Sequence, residues 1–235
     1  MKKKLFLGLF LFLGVICITG CSFGGGDDSS KYDININSDE NIATKAYVSS
    51  DKSQLIVYMT NNYSYNIASI EVEVAYYDKD GNKIDEDDTT LMHVQKGIDV
   101  ATALYLPEDS DSNGYVPERT EVKVYIDEEY QTVVDDIKMF NDKVSSDYKV
   151  DGNNVTVTLK NNAGVDLVEV DGIVLFMKKN KPVYVEEIGS FKIAKGATKS
   201  ETIEVPIDWS KSEDENVLID FDSIKVLIGR ASDKY

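Results

Sequence analysis

The sequence predicts an all-β protein, two antiparallel β-sandwiches in tandem with a barrel as the main competing architecture. Three observations carry that prediction: apolar residues recur at a period of two, turn dipeptides separate the apolar runs, and one set of landmarks occurs twice. Ile70, Val72, Val74 and Tyr76 alternate with Glu71, Glu73 and Ala75. Val122, Val124 and Ile126 alternate with Glu121, Lys123 and Tyr125. Each set describes a strand with one buried and one wet face. Asp80-Gly81 and Asp151-Gly152 are tight hairpin signals, and Lys96-Gly97 and Lys195-Gly196 mark further turns ahead of strands. Several short strands within roughly 85 residues give the spacing of a sandwich.

Along the chain, residues 1–20 come first. Met1–Lys4 is basic, and Leu5–Ile18 is apolar apart from Gly8 and Gly14. Such a run is shorter than the roughly twenty residues needed to span a bilayer permanently, and its flanks are those of a secretory signal peptide. Ile18-Thr19-Gly20-Cys21 resembles the lipobox of bacterial lipoproteins, with Ile18 where Leu is usual. The resemblance implies a thioether-linked diacylglycerol on Cys21, cleavage before it, and acylation of the new α-amine. Two acyl chains anchor stably where one would be marginal. Cys17 would leave with the signal and Cys21 would be alkylated, so the mature chain is expected to hold no free thiol and no disulfide. Residues 21–31, with Gly24-Gly25-Gly26 and Asp27-Asp28, read as a flexible tether of roughly 15–20 Å.

The repeat follows. Asp51–Asn62 and Asp151–Asn162 place Leu55, Val57 and Met59 against Val155, Val157 and Leu159, with an Asn-Asn pair closing each. Lys96-Gly97 then matches Lys195-Gly196, Leu106-Pro107 matches Val205-Pro206, and Val122-Lys123-Val124 matches Ile224-Lys225-Val226. The reading is a first sandwich at 32–130, a linker at 131–142 and a second sandwich at 143–235. Val133, Ile137, Phe140 and Val144 fall at helical spacing, so a connecting helix and an extended first strand both remain open. The outward residues of one central strand are Glu71, Glu73 and Ala75, whereas the second copy has Asp171, Ile173 and Leu175, with Met177 next. Such an apolar patch needs a cover. The linker around Val133–Phe140 is the expected one, ahead of the first domain or another protein.

Val74-Ala75-Tyr76-Tyr77-Asp78 resembles the core strand and turn of FxLYD-type domains, immunoglobulin-like modules frequent in lipoproteins of Gram-positive bacteria. Tyr77-Asp78 matches the last two motif positions, while Val74 and Tyr76 stand where the motif has Phe and Leu. The second copy reads Val174-Leu175-Phe176-Met177-Lys178 and lacks the Tyr-Asp pair. The resemblance implies immunoglobulin-like sandwiches on the cell surface and brings no catalytic residues.

Charge narrows the function. Over 235 residues the net charge is −17. Without the three lysines of the first twenty residues, 42 acidic side chains face 22 basic ones, a net −20. This field opposes nucleic acids, whose binding requires Lys/Arg clusters. His93 is the single histidine and reads as an ordinary strand residue. No phosphate loop, nucleophile elbow or metalloprotease motif is present. We therefore expect no enzyme, with no catalytic residues, no cofactor and no metal. Asp78-x-Asp80-Gly81, Asp85–Asp88, Glu108–Asp111 and Glu213–Glu215 are nevertheless oxygen-rich enough to raise calcium as an alternative. Tyr63 and Tyr65 are the candidate ligand surface, and Trp209 reads as a core or edge plug. The expectation is a lipid-anchored protein on the extracytoplasmic face of the cell membrane, acting as a non-enzymatic binding or spacer module. Its partners would be the membrane and an envelope protein or polysaccharide. A small carboxylate-pair hydrolase or a calcium-dependent adhesion module are the alternatives.

Overall fold

The computed structural model describes residues 32–107, 117–127, 138–211 and 217–234. The signal segment, Cys21, the tether, Val133, Ile137 and the acidic stretches Glu108–Asp111 and Glu213–Glu215 lie outside the described residues.

The first copy contains β1 (Asp33–Ser38), β2 (Ile42–Val48), β3 (Gln54–Asn61), β4 (Ile67–Tyr77), β5 (Lys83–Val94), β6 (Asp99–Tyr105) and β7 (Arg119–Ile126). After a 3-10 turn at Asn141–Lys143, the second contains β8 (Val144–Asp151), β9 (Asn154–Asn161), β10 (Leu167–Lys178), β11 (Lys181–Ile193), β12 (Thr198–Glu204) and β13 (Ser223–Ser232). In the first, sheet β1-β7-β4-β5 faces sheet β2-β3-β6; in the second, β11-β10-β13 faces β12-β9-β8. The chain is all-β, two sandwiches in tandem. One pairing departs from the antiparallel expectation: β1 runs parallel to β7. A parallel partner must arrive by a long crossover, and here the whole of β2–β6 supplies it.

Period-two alternation fixes both cores. Leu55, Val57, Met59, Ile70, Val72, Val74, Tyr76, Val122 and Val124 close the first. Val155, Val157, Leu159, Val170, Val174 and Phe176 close the second, with Phe221 edge-on to Phe176 at 5.1 Å. At roughly 25 cal/mol per Å² of apolar area, these side chains are the main source of stability.

The duplication extends to individual hydrogen bonds. Asn61 and Asn161 are fully buried. Asn61 Nδ2 donates to the Tyr65 and Val94 carbonyls at 3.2 and 3.1 Å, while its Oδ1 accepts from Tyr63 N at 2.9 Å. Asn161 repeats this with Val165, Ile193 and Ala163 at 2.8, 2.9 and 2.8 Å. The carbonyls of these asparagines also accept from Gly97 and Gly196, both at φ 72°, a backbone conformation that suits glycine. Leu106 N donates to Ser53 O as Val205 N does to Asn153 O. The matched Lys-Gly and Leu/Val-Pro pairs therefore occupy equivalent places.

One correspondence shifts. Val74 pairs with Val122 and Val174 with Val226, so Val122 is equivalent to Val226 rather than Ile224. A slip of two keeps every side chain on its face, which is why alternation alone did not reveal it.

Candidate functional site

The two sandwiches meet face to face. Ile56 of β3 and Ala101 of β6 pack with Leu175 of β10, Val185 of β11 and Leu227 of β13 in a third apolar cluster, flanked by Tyr47, Tyr58, Ala103, Ile173 and Met177. Leu175 and Ile56 are fully buried. The expectation that the linker covers the Ile173–Leu175–Met177 face is thus corrected: the outer face of β2-β3-β6 covers it. The physical reason is that Ile56, Tyr58 and Ala101 give the first domain an apolar outer face of its own. The described end of the linker lies elsewhere, where Phe140 N donates to Ala231 O at 2.8 Å and the Asn141 amide caps the Ile228 and Gly229 carbonyls at 3.0 Å.

Polar contacts set the register of the seam. The Gln54 side-chain amide pairs with Val185 like a strand residue, donating to its carbonyl and accepting from its N–H, each at 3.2 Å. Ser50 N donates to Val183 O at 2.9 Å, and Ser210 Oγ donates to Ser50 O at 3.2 Å. Lys225 Nζ donates to Tyr58 OH at 2.5 Å and to Asp99 Oδ2 at 2.9 Å, while Tyr58 OH donates to the same carboxylate.

Where the seam opens, both domains line a cleft of about 470 Å³. The first contributes Thr89–Met92 and Thr102; the second contributes Asp171, Ile173, Glu187 and Arg230. A β-bulge builds this end. Gly229 is an extra residue in β13, so that Asp171 opposes Arg230 while Gly172 opposes Ile228. A Cβ on Gly172 would lie 2.3 Å from Leu227 O, and one on Gly229 would lie 2.7 Å from Asp171 Oδ1. The first copy has Glu71-Val72 here and no register shift between β4 and β7. Burial first, and then neighbouring Glu169, push the Asp171 carboxyl up to about 6. Arg230 Nη1 is committed to Glu169 Oε2 at 2.7 Å, and its buried Nε has no hydrogen-bond partner.

His93 is not the ordinary strand residue expected. It is the penultimate residue of β5, at φ 59°, is 9% exposed, and feels both Arg230 and Glu169 across the seam. Its Nδ1 is buried without a partner, and burial, aided by Arg230, holds the imidazole pKa below its ordinary value. Sequence reasoning missed Asp171, Glu187 and Arg230 as a group. The local signal was the glycine pair Gly172 and Gly229 inside strands, where glycine marks a bulge or a close approach.

The sequence candidates lie apart from this cleft. Tyr63 packs against the first core and donates to Asp39 at 2.7 Å, with Tyr65 tilted over it at 4.8 Å and 44% exposed. Trp209 is 69% exposed in the turn after Asp208, so the plug reading is corrected. It follows Ile207, which bridges to Leu218, and its turn is braced by Ser210, leaving the indole outside the core. The Asp78 carboxylate is used within its turn by Asp80 N, Asn82 N and Asn82 Nδ2. Among the described residues, no group of three or more His, Cys, Asp or Glu side chains is arranged to hold a metal ion.

No family model and no curated protein matches this chain. Among solved structures it is similar to red sea bream transglutaminase, at 11% identity and a TM-score of 0.21, over 83% of this chain and 29% of that one. A similarity that slight carries no argument about activity.

Proposed function

We propose that this protein is a bacterial lipoprotein held to the extracytoplasmic face of the cell membrane through Cys21, with its two immunoglobulin-like sandwiches serving as a non-enzymatic binding and spacer module. The observation that supports the spacer role is the apolar seam. Leu175 and Ile56 bury one domain against the other, and Gln54, Ser50 and Lys225 lock the register. Two sandwiches joined by an apolar, hydrogen-bonded interface move as one body, because small loosely held contacts are what permit domain motion. A stiff unit anchored through Cys21 holds a ligand away from the bilayer. The lipobox-like Ile18–Cys21 and the acidic surface support the address.

Changing Cys21 tests the anchor. Cys21→Ala should release the protein to the medium or stall it with its signal attached, and mass spectrometry of the membrane form should find a lipopeptide starting at Cys21. A membrane form whose N-terminus is unmodified would refute the anchor.

A further inference from the structure

The first sandwich has a strand that the second lacks. β1 runs parallel to β7 and makes a four-stranded sheet. β13, the counterpart of β7, pairs with β10 on one side and, among the described residues, with no strand along residues 223–227 on the other. We propose that this open edge takes an extended peptide segment of another protein, apolar at every second residue, which pairs in parallel with β13 and lays its apolar side chains on Tyr148 and Val150 of β8.

Three observations support it. Tyr148 and Val150 pair with Val157 and Val155 as Ala46 and Val48 pair with Val57 and Leu55, so they lie on the interior side of their sheet. In the first sandwich Ile34 of β1 packs on the core together with Ala46 and Val48. In the second, Tyr148 and Val150 stand 41% and 43% exposed, and Val226 is half-buried where its counterpart Val122 is buried. An inward-facing apolar surface is thus left wet at the place equivalent to that of β1. The edge is also unprotected. Free edges are blunted by charge or proline, and β5 carries Lys83, Asp85, Glu86, Asp87 and Asp88 on its own. Residues 223–227 hold no proline and one charge, Lys225, which Tyr58 and Asp99 draw into the seam. Finally, the chain's own approach misses this edge. The described end of the linker meets β13 past the bulge, Met139 bridging antiparallel to Ser232, and turns off where Asn141 caps Ile228 and Gly229. Because Val144 is the counterpart of Ile42, residues 135–140 would set Asp136 and Lys138 where β1 has Ile34 and Ile36. Charges do not replace isoleucines on an apolar floor, so the strand that fits comes from another polypeptide.

This inference supplies a partner class for the binding half of the proposed function, and its failure would leave the anchor, which is tested through Cys21, untouched. The probe is a capped peptide of residues 32–39, the β1 sequence itself. It is added at near-physiological salt to the full-length chain in a neutral detergent and followed by backbone amide nuclear magnetic resonance. Shifts should gather on residues 223–227 and on Val144–Asp151. Tyr148→Lys and Val150→Lys change exposed positions, so each should keep the parent melting curve yet weaken binding about tenfold, equivalent to about 1.4 kcal/mol. Ile84→Lys, at an exposed apolar residue of the β5 edge, should leave binding unchanged. A peptide with asparagine in place of both isoleucines should bind at least about tenfold more weakly. Each of three results overturns the proposal: no binding by the unaltered chain; shifts confined to Val122 and Val124, which would mean exchange with β1 in the first sandwich; or a dimer of the chain alone that Tyr148→Lys abolishes, which would give the edge to a second copy.

Discussion

Leu175 offers the sharpest test of the seam. It is fully buried between Ile56, Ala101, Val185 and Leu227, and none of these belongs to the core of either sandwich. Leu175→Ala removes the seam's centre while leaving both cores intact. Truncation of a fully buried leucine costs about 2–5 kcal/mol. For a chain of this size a kilocalorie moves the melting point by roughly 2–4 °C, so the variant should melt roughly 5–15 °C lower. The assay is differential scanning calorimetry of residues 22–235. The unaltered chain should unfold in one transition, and the variant should broaden or split as the sandwiches uncouple. Ile56→Thr, which gives β3 the residue found at the equivalent Thr156, should reproduce the effect from the other side. An unchanged melt for both variants would falsify the covered face and leave Ile173, Leu175 and Met177 as a free surface.

The other predictions concern the bulge and the titrating groups beside it. Gly172→Val, which restores the residue of the first copy, drives a Cβ into Leu227 O and should leave little folded second domain, measured by near-ultraviolet circular dichroism. Asp171 has a raised folded-state pKa, so its stabilising contribution is complete below about pH 4 and is lost as pH rises through 6, on the order of 3 kcal/mol. His93, lowered by burial, acts in the opposite sense: its contribution holds above its ordinary value near 6.5 and is lost on acidification. Melts from pH 4 to 7.5 should therefore gain stability at the neutral end for Asp171→Asn and at the acid end for His93→Gln. Identical pH profiles for both variants and the unaltered chain would show that neither group titrates there.

How much of this was legible depended on which strand was read. The period of two along Ile70–Tyr76, the glycine turns and the paired Asn-Asn landmarks gave the sandwiches and their duplication, because each reflects a local constraint. The seam was legible too, in β3. Leu55-Ile56-Val57-Tyr58-Met59 is apolar without interruption, the pattern of a strand covered on both faces, whereas Val155-Thr156-Val157-Thr158-Leu159 alternates. That contrast identifies which sheet of the first copy is covered. The cleft was not legible. It depends on one inserted glycine in β13, on a two-residue slip that alternation cannot detect, and on His93 meeting Arg230 and Glu169 across the seam. Trp209 misled because a large aromatic is usually an interior residue, and only its braced turn places it outside.

The union of the two copies is heterologous: the outer side of β2-β3-β6 meets the outer side of β11-β10-β13, which are not equivalent surfaces. Joining unlike surfaces of one repeated unit can in principle continue without end, as in a fibre. Here the two surfaces left over have been rewritten. Where the second copy offers Ile173, Leu175 and Met177, the first has Glu73, Ala75 and Tyr77, with Glu73 tied to Lys123 at 2.9 Å. Where the first offers Ile56 and Tyr58, the second has Thr156 and Thr158, whose hydroxyls bond to Thr202 and Ser200 at 2.9 and 2.8 Å. A third copy would find carboxylates at one end and satisfied hydroxyls at the other, so this mode of union has a valency of zero beyond two copies.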